Sequence, residues 1–217
     1  MHYGDDKAFH PMLRVSHGGA GRALASIVFR SMVPPMSSTS TARGALRAAT
    51  AAHHDRVDAV FSQLNLGDRD GYRRFLQAQA GAHLPVEAAL TRAGAAMVVP
   101  DWPARQRSAA LLADLAALGL DAPAATADIA FDDTAAVLGG IYVLEGSRLG
   151  GALLARGVPA HFPRAFLAPS DSALWRRLLQ IVEHTLISAD ARASAVQSAS
   201  RVFMLFESSG RRFLGTD

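Results

Sequence analysis

The stretch GGIYVLEGSRLGGALL, residues 139–154, decides how the chain is read. Its apolar residues recur at helical spacing, yet Gly139, Gly140, Gly146, Gly150 and Gly151 fall within it. Each glycine costs a helix interior about 1 kcal/mol against alanine, and alanine is plentiful elsewhere in the chain. Gly139, Gly146 and Gly150 share one face of the helix, and that face carries no side chains. The spacing is not GxGxxG and no strand precedes it, which argues against a phosphate cradle. Glu145 and Arg148 interrupt the apolar run, which argues against a membrane span. Two readings stay open. One is close helix packing through small residues. The other is a helix, softened and kinked by glycine, that lets a flat ligand approach its backbone.

Outward from this stretch the periodicity is helical throughout. Helices are expected at 45–64, at 71–93 with a kink at Pro85, and at 102–118, capped by Asp101 and ended by Gly119. The glycine-rich helix follows, capped by Asp132 or Asp133, and then helices at 172–187 and 190–213. NLGDRDG and DAPAATADIAF read as loops, and no segment sustains strand alternation. The expected fold is all-α: a single compact multi-helix domain over 44–217.

At 217 residues one domain is the expectation, with ample length for a core. The chain has no cysteine, which excludes disulfides, thiolate metal sites and thiol catalysis and is compatible with a cytoplasmic location. The net charge of +3 belongs to residues 1–43, where five cations face two acids; the remainder is neutral overall. The body therefore lacks the basic signature of a nucleic-acid partner. No run of about eighteen uncharged apolar residues suggests a membrane crossing. Residues 1–43, rich in Gly, Ser, Pro and Met and without a period, read as a disordered extension.

The sequence contains no GxSxG or HExxH motif and no paired-carboxylate motif, so histidine carries the remaining chemistry. His2, His10 and His17 lie in the extension, and His83, His161 and His184 read as ordinary surface or partly buried residues. His53 shares the core stripe of the first helix with Leu46, Ala49, Val57, Val60 and Leu64. His54 shares another face with Arg47, Thr50, Asp58 and Phe61. Asp58, one turn on, can take the proton of its Nδ1 and leave Nε2 for a metal. A solvated face with an i, i+4 His–Asp pair is the plainer alternative. A planar iron macrocycle between this face and the glycine face would use both.

These residues resemble a known family. LRAATAAHHDRVD (46–58) resembles the proximal-helix motif of heme oxygenases, in which a histidine follows a threonine by four, here His54 after Thr50. YVLEGSRLGG (142–151) resembles the distal-helix motif of bacterial members, including those that supply bilin to bacteriophytochromes. Tyr72, Phe75, Pro85, Glu87, Trp102, Asp114, Gly119 and Trp175 also fall at similar positions, so the resemblance covers about 44–213.

The resemblance implies oxidative opening of heme to biliverdin, carbon monoxide and ferrous iron. Heme is then both substrate and cofactor, and a ferredoxin or flavin reductase supplies electrons. It implies His54 as axial iron ligand, oriented by Asp58 and supported by Thr50. Gly146 and Gly150 would let the distal backbone approach heme. Arg47, Arg176 (with Arg177 as its neighbour) and Tyr142 would meet the propionates. Animal members carry an aspartate after the first distal glycine, which organises proton-delivering water; this chain has Ser147 there. That departure keeps a non-catalytic heme carrier or sensor as the alternative. A related all-α fold acting on another small molecule is a second alternative.

Overall fold

The computed structural model describes residues 41–125, 128–169 and 171–214; residues 1–40 of the expected extension lie outside them. The described residues are helical, with no strand, as the periodicity implies. The elements are α1 (Ala42–Phe61), α2 (Arg69–Arg92), α3 (Ala95–Val98), α4 (Trp102–Arg105), α5 (Ser108–Ala117), α6 (Thr134–Leu154), α7 (Ser172–Thr185) and α8 (Ala189–Leu214). A single 3-10 turn, Ala155–Gly157, follows α6.

Side chains set most of the helix starts. Thr41 accepts from the Gly44 N–H at 3.0 Å, Asp68 from Gly71 at 2.7 Å, and Asp133 from Ala136 at 2.7 Å. Helix α1 thus begins three residues before the expected start, and Arg43 belongs to it rather than to the extension. Gly119 (φ 69°) ends the helical run after α5, as expected; only glycine adopts that backbone without strain. Helix α2 continues through Pro85.

The expected helix at 102–118 is two. Asp101 makes no cap; its carboxylate is taken by Arg105 at 2.6 Å and Arg177 at 3.0 Å. The chain breaks at 106–107 because buried Glu87 accepts the Arg107 and Ser108 backbone N–H groups at 2.6 and 3.1 Å, starting α5 afresh.

Helix α8 is the spine, against which α6, α1 and α2 all pack. Small buried residues allow the approach: Ala195, Ser198, Ala199, Ser209 and Gly210. Two of their hydroxyls tie the helices together, Ser198 Oγ donating to the Ala136 carbonyl at 2.8 Å and Ser209 Oγ to the Ala78 carbonyl at 2.7 Å. The main core joins α1, α2, α6, α7 and α8. A second cluster beneath it gathers Tyr72, Phe75, Leu76, Leu111, Leu115, Phe166 and Leu167. The segment Thr134–Gly157 is long and apolar enough to cross a membrane by composition, but 65% of its apolar window is buried inside this fold. Its hydrophobicity is that of a core helix.

Candidate active site

Helix α1 presents Arg43, Arg47, Thr50, His54 and Asp58 along one stripe. Thr50 is buried and donates its hydroxyl to the Leu46 carbonyl at 2.8 Å, anchoring the stripe to the core side of the helix. His54 Nδ1 lies 3.2 Å from Asp58 Oδ2, with about a quarter of each side chain exposed. The imidazole stands edge-on to Phe203 of α8, centroids 6.0 Å apart. Burial lowers the His54 pKa, opposed by the Asp55 charge, so the ring is neutral near neutral pH. Burial, then Asp55, pushes the Asp58 carboxyl up to about 7. A neutral imidazole whose Nδ1 faces a carboxylate is the form that ligates a metal through Nε2. Among the described residues no three His, Asp or Glu side chains converge on one point.

The neighbouring histidines depart from expectation. His53 is not a core residue: its Nδ1 meets Arg56 Nη2 at 2.6 Å near the surface, and Ala49 of the supposed core stripe is exposed. The inward face of α1 runs through Leu46, Thr50 and Val60 instead. His83, read as ordinary, is wholly buried, with Nε2 3.0 Å from Glu87 Oε2 and its ring edge-on to Phe166. Burial lowers its pKa to about 4, leaving it neutral. Burial pushes Glu87 up, but hydrogen bonds from His83, Ser108 and Arg107 outweigh it and hold the carboxyl at about 2.

On α6 the glycines divide. A Cβ at Gly139 would strike the Ala195 carbonyl of α8, and one at Gly140 would strike Phe131 and Leu90. These two serve helix packing, so Gly139 does not belong to a ligand face. Gly146 is buried and Gly150 half-buried, further along the helix. Between them Ser147 is exposed but firmly held. Its hydroxyl donates to the Leu144 carbonyl at 2.7 Å and accepts from Arg107 Nη2 at 3.1 Å.

Arg107 is itself buried. It also donates to the Leu144 carbonyl at 3.0 Å, and its guanidinium lies 4.6 Å from the Phe166 ring centroid. Beside it Arg105, fully buried, joins Asp101, Glu145 at 2.9 Å and the Leu174 carbonyl at 2.9 Å. The sequence reading missed Arg105, Arg107, Glu87 and His83. Glu145, an acid inside an apolar helix, was the one signal that a buried counter-charge existed.

Tyr142 is buried on α6 and packs on Trp175 of α7, ring centroids 5.5 Å apart. Burial raises its pKa, and the charges of Arg43 and Arg47 oppose the rise, so both arginines of α1 lie within electrostatic reach of the phenol. Arg177 donates to Asp101, and Arg176 to Ser172 Oγ at 3.0 Å. Helices α1 and α6 both lean on α8 and make few contacts with each other. Two shallow depressions, of about 370 and 310 Å³, lie elsewhere. One is on α7 around Arg177, Ile181 and His184; the other is between Ile129 and the Arg201–Met204 face of α8.

No family model matches the chain. It is 40% identical over 117 residues to a heme oxygenase of Xanthomonas campestris pv. campestris, an alignment covering 51% of this chain and 70% of that protein. It is 28% identical over 164 residues to the heme oxygenase PigA of Pseudomonas aeruginosa, covering 70% of this chain and 83% of that one. The fold superposes on the NO- and CO-bound heme oxygenase of Neisseria meningitidis with a TM-score of 0.72 at 24% identity, over 82% of this chain and 94% of the other. With one aligned relative at 40% identity covered across more than two thirds of its length, and a helical fold to match, the chain belongs to the heme oxygenase family.

Proposed function

We propose that this chain is a biliverdin-producing heme oxygenase, opening heme to biliverdin, carbon monoxide and ferrous iron at a site between α1 and α6. The observation that carries the reading is the His54–Asp58 pair, a neutral imidazole set at 3.2 Å from a carboxylate on a helix that faces α6 across α8. Heme, as substrate, supplies the iron at which its own ring is oxidised. His54 Nε2 holds that iron, and Asp58 fixes the ring's tautomer and direction. Gly146 and Gly150 keep bulk off the opposite side. Ser147, its hydroxyl fixed by Arg107 and the Leu144 carbonyl, anchors water and passes protons in place of a carboxylate. Arg47, Tyr142 and Arg176, with Arg177 beside it, sit toward the carboxylate edge of the porphyrin.

The reaction consumes electrons, and a chain without cysteine has no thiolate-held cluster to store them. We therefore assign an external donor, a ferredoxin or a flavin reductase, in the cytoplasm, with a bacteriophytochrome as an acceptor for the bilin.

Hemin titration of the purified protein, followed by reductant in air, tests the reading by absorbance. A one-to-one histidine-ligated spectrum that converts to biliverdin is expected. His54→Ala should abolish that spectrum, and His53→Ala should leave it intact. Bound heme that persists unconverted would make the protein a carrier or sensor instead.

A further inference from the structure

We infer that Arg43, together with Arg47, forms a two-guanidinium clamp for the two carboxylates of the porphyrin, leaving Arg176 and Arg177 to structural partners. The inference rests on the heme-site reading above and adds to it a residue from outside the expected domain boundary.

Four observations lead to Arg43. First, α1 begins at Ala42, so Arg43 stands one turn before Arg47 on the stripe that continues to Thr50 and His54. The two Cα atoms are separated by roughly 6 Å of helix rise. Second, neither guanidinium has a hydrogen-bond or ion-pair partner among the described residues. Arg176 is instead engaged by Ser172, and Arg177 by Asp101, which also binds Arg105. Third, the backbone at Arg43 is fixed. Glu183 of α7 accepts the Ala42 N–H through Oε2 and the Arg43 N–H through Oε1, each at 3.0 Å. A helix start that would otherwise fray is pinned, and Arg43 is half-buried there. Fourth, Arg43 and Arg47 both act on the Tyr142 phenol, which packs on Trp175, so their charge gathers where α1, α6 and α7 meet.

Two planar forks on one rigid helix suit two flexible carboxylates on one rigid ring, because each pair can be bidentate and little ordering is left for binding. The same clamp sets how the ring is rotated about the iron–His54 axis, and hence which ring edge meets Ser147.

The test compares hemin with hemin dimethyl ester, whose carboxylates are masked, in absorbance titrations of the unaltered protein and of Arg43→Gln, Arg43→Lys, Arg47→Gln and Arg176→Gln. Arg43→Gln should weaken hemin binding about five- to tenfold and diester binding less than about twofold. Arg43→Lys, which keeps the charge but not the fork, should fall between. The diester controls for folding, because a damaged protein loses both ligands alike. If Arg43→Gln leaves the hemin-to-diester ratio unchanged, or if Arg176→Gln alone removes the preference for hemin, the clamp is overturned. If the unaltered protein gives no His54-dependent spectrum with either ligand, the heme-site reading itself falls, and the clamp with it.

Discussion

At the scale of single residues, the site depends on how burial sets protonation. Asp58 ionises at about 7 in the fold against 3.8 for the free side chain, so the folded protein holds this proton more tightly than the unfolded chain. The stability linked to it is fully present below about pH 4 and is lost as pH rises through about 7. In the heme-free protein Asp58→Asn should therefore raise the melting temperature at pH 8.5, by roughly 1–2 kcal/mol once the exposure of the pair is allowed for, and change it little at pH 4. Thermal melts at the two pH values check this; an equal gain at both would remove the titration account. The same substitution should weaken iron ligation about tenfold, because the imidazole loses its charged orienting partner. Ser147→Ala should leave hemin affinity within about twofold and slow conversion to biliverdin by at least about tenfold, as loss of a positioned proton-transfer group does. Single-turnover absorbance traces separate the two effects.

At the scale of elements, α6 does two jobs along its length. Its first half packs, and its second half carries the site. Gly139→Ala should destabilise by about 2 kcal/mol even though alanine is the better helix former, because the new Cβ meets the Ala195 backbone of α8 and a backbone cannot swing aside. Gly151→Ala should be neutral or stabilising by up to about 1 kcal/mol, since its nearest new neighbour, Leu167 Cδ2, is 3.6 Å away. Denaturant midpoints decide it. Both glycines look alike in sequence, and their difference lies in what stands opposite. The helices themselves were legible, because the 3.6-residue period and the caps at Asp68, Asp133 and Asp171 are local. The split of 102–118 into α4 and α5 was not, because its cause is Glu87, twenty residues back in sequence.

At the scale of the whole molecule, the buried charges join elements that sequence separates. Arg105 links Asp101 beside α4, Glu145 on α6 and the Leu174 carbonyl on α7. Removing it strands two carboxylates, one of them buried. Arg105→Ala should cost about 3–5 kcal/mol and lower the melting temperature by roughly 10 °C, whereas an exposed ion pair such as Arg211–Glu207 should be worth well under about 1 kcal/mol when broken. Paired thermal melts of Arg105→Ala and Arg211→Ala check the contrast. Arg105 also couples the distal helix to the segment carrying Trp175, so its loss should loosen the Tyr142 end of the site along with the fold.

The sequence by itself determined the all-α class, the helix starts and stops, and the stripe that sets His54 beside Asp58. Each follows from spacing along one helix, where three or four residues fix the geometry. The tertiary structure alone decided which glycines pack and which remain available to the site, that His53 lies near the surface while His83 is buried, and that Arg107 grips Ser147 from a different helix. It also brought Arg43 into α1 and within reach of Tyr142. Those outcomes depend on which faces meet across α8, and burial and long-range charge pairing leave no period in a single chain to read.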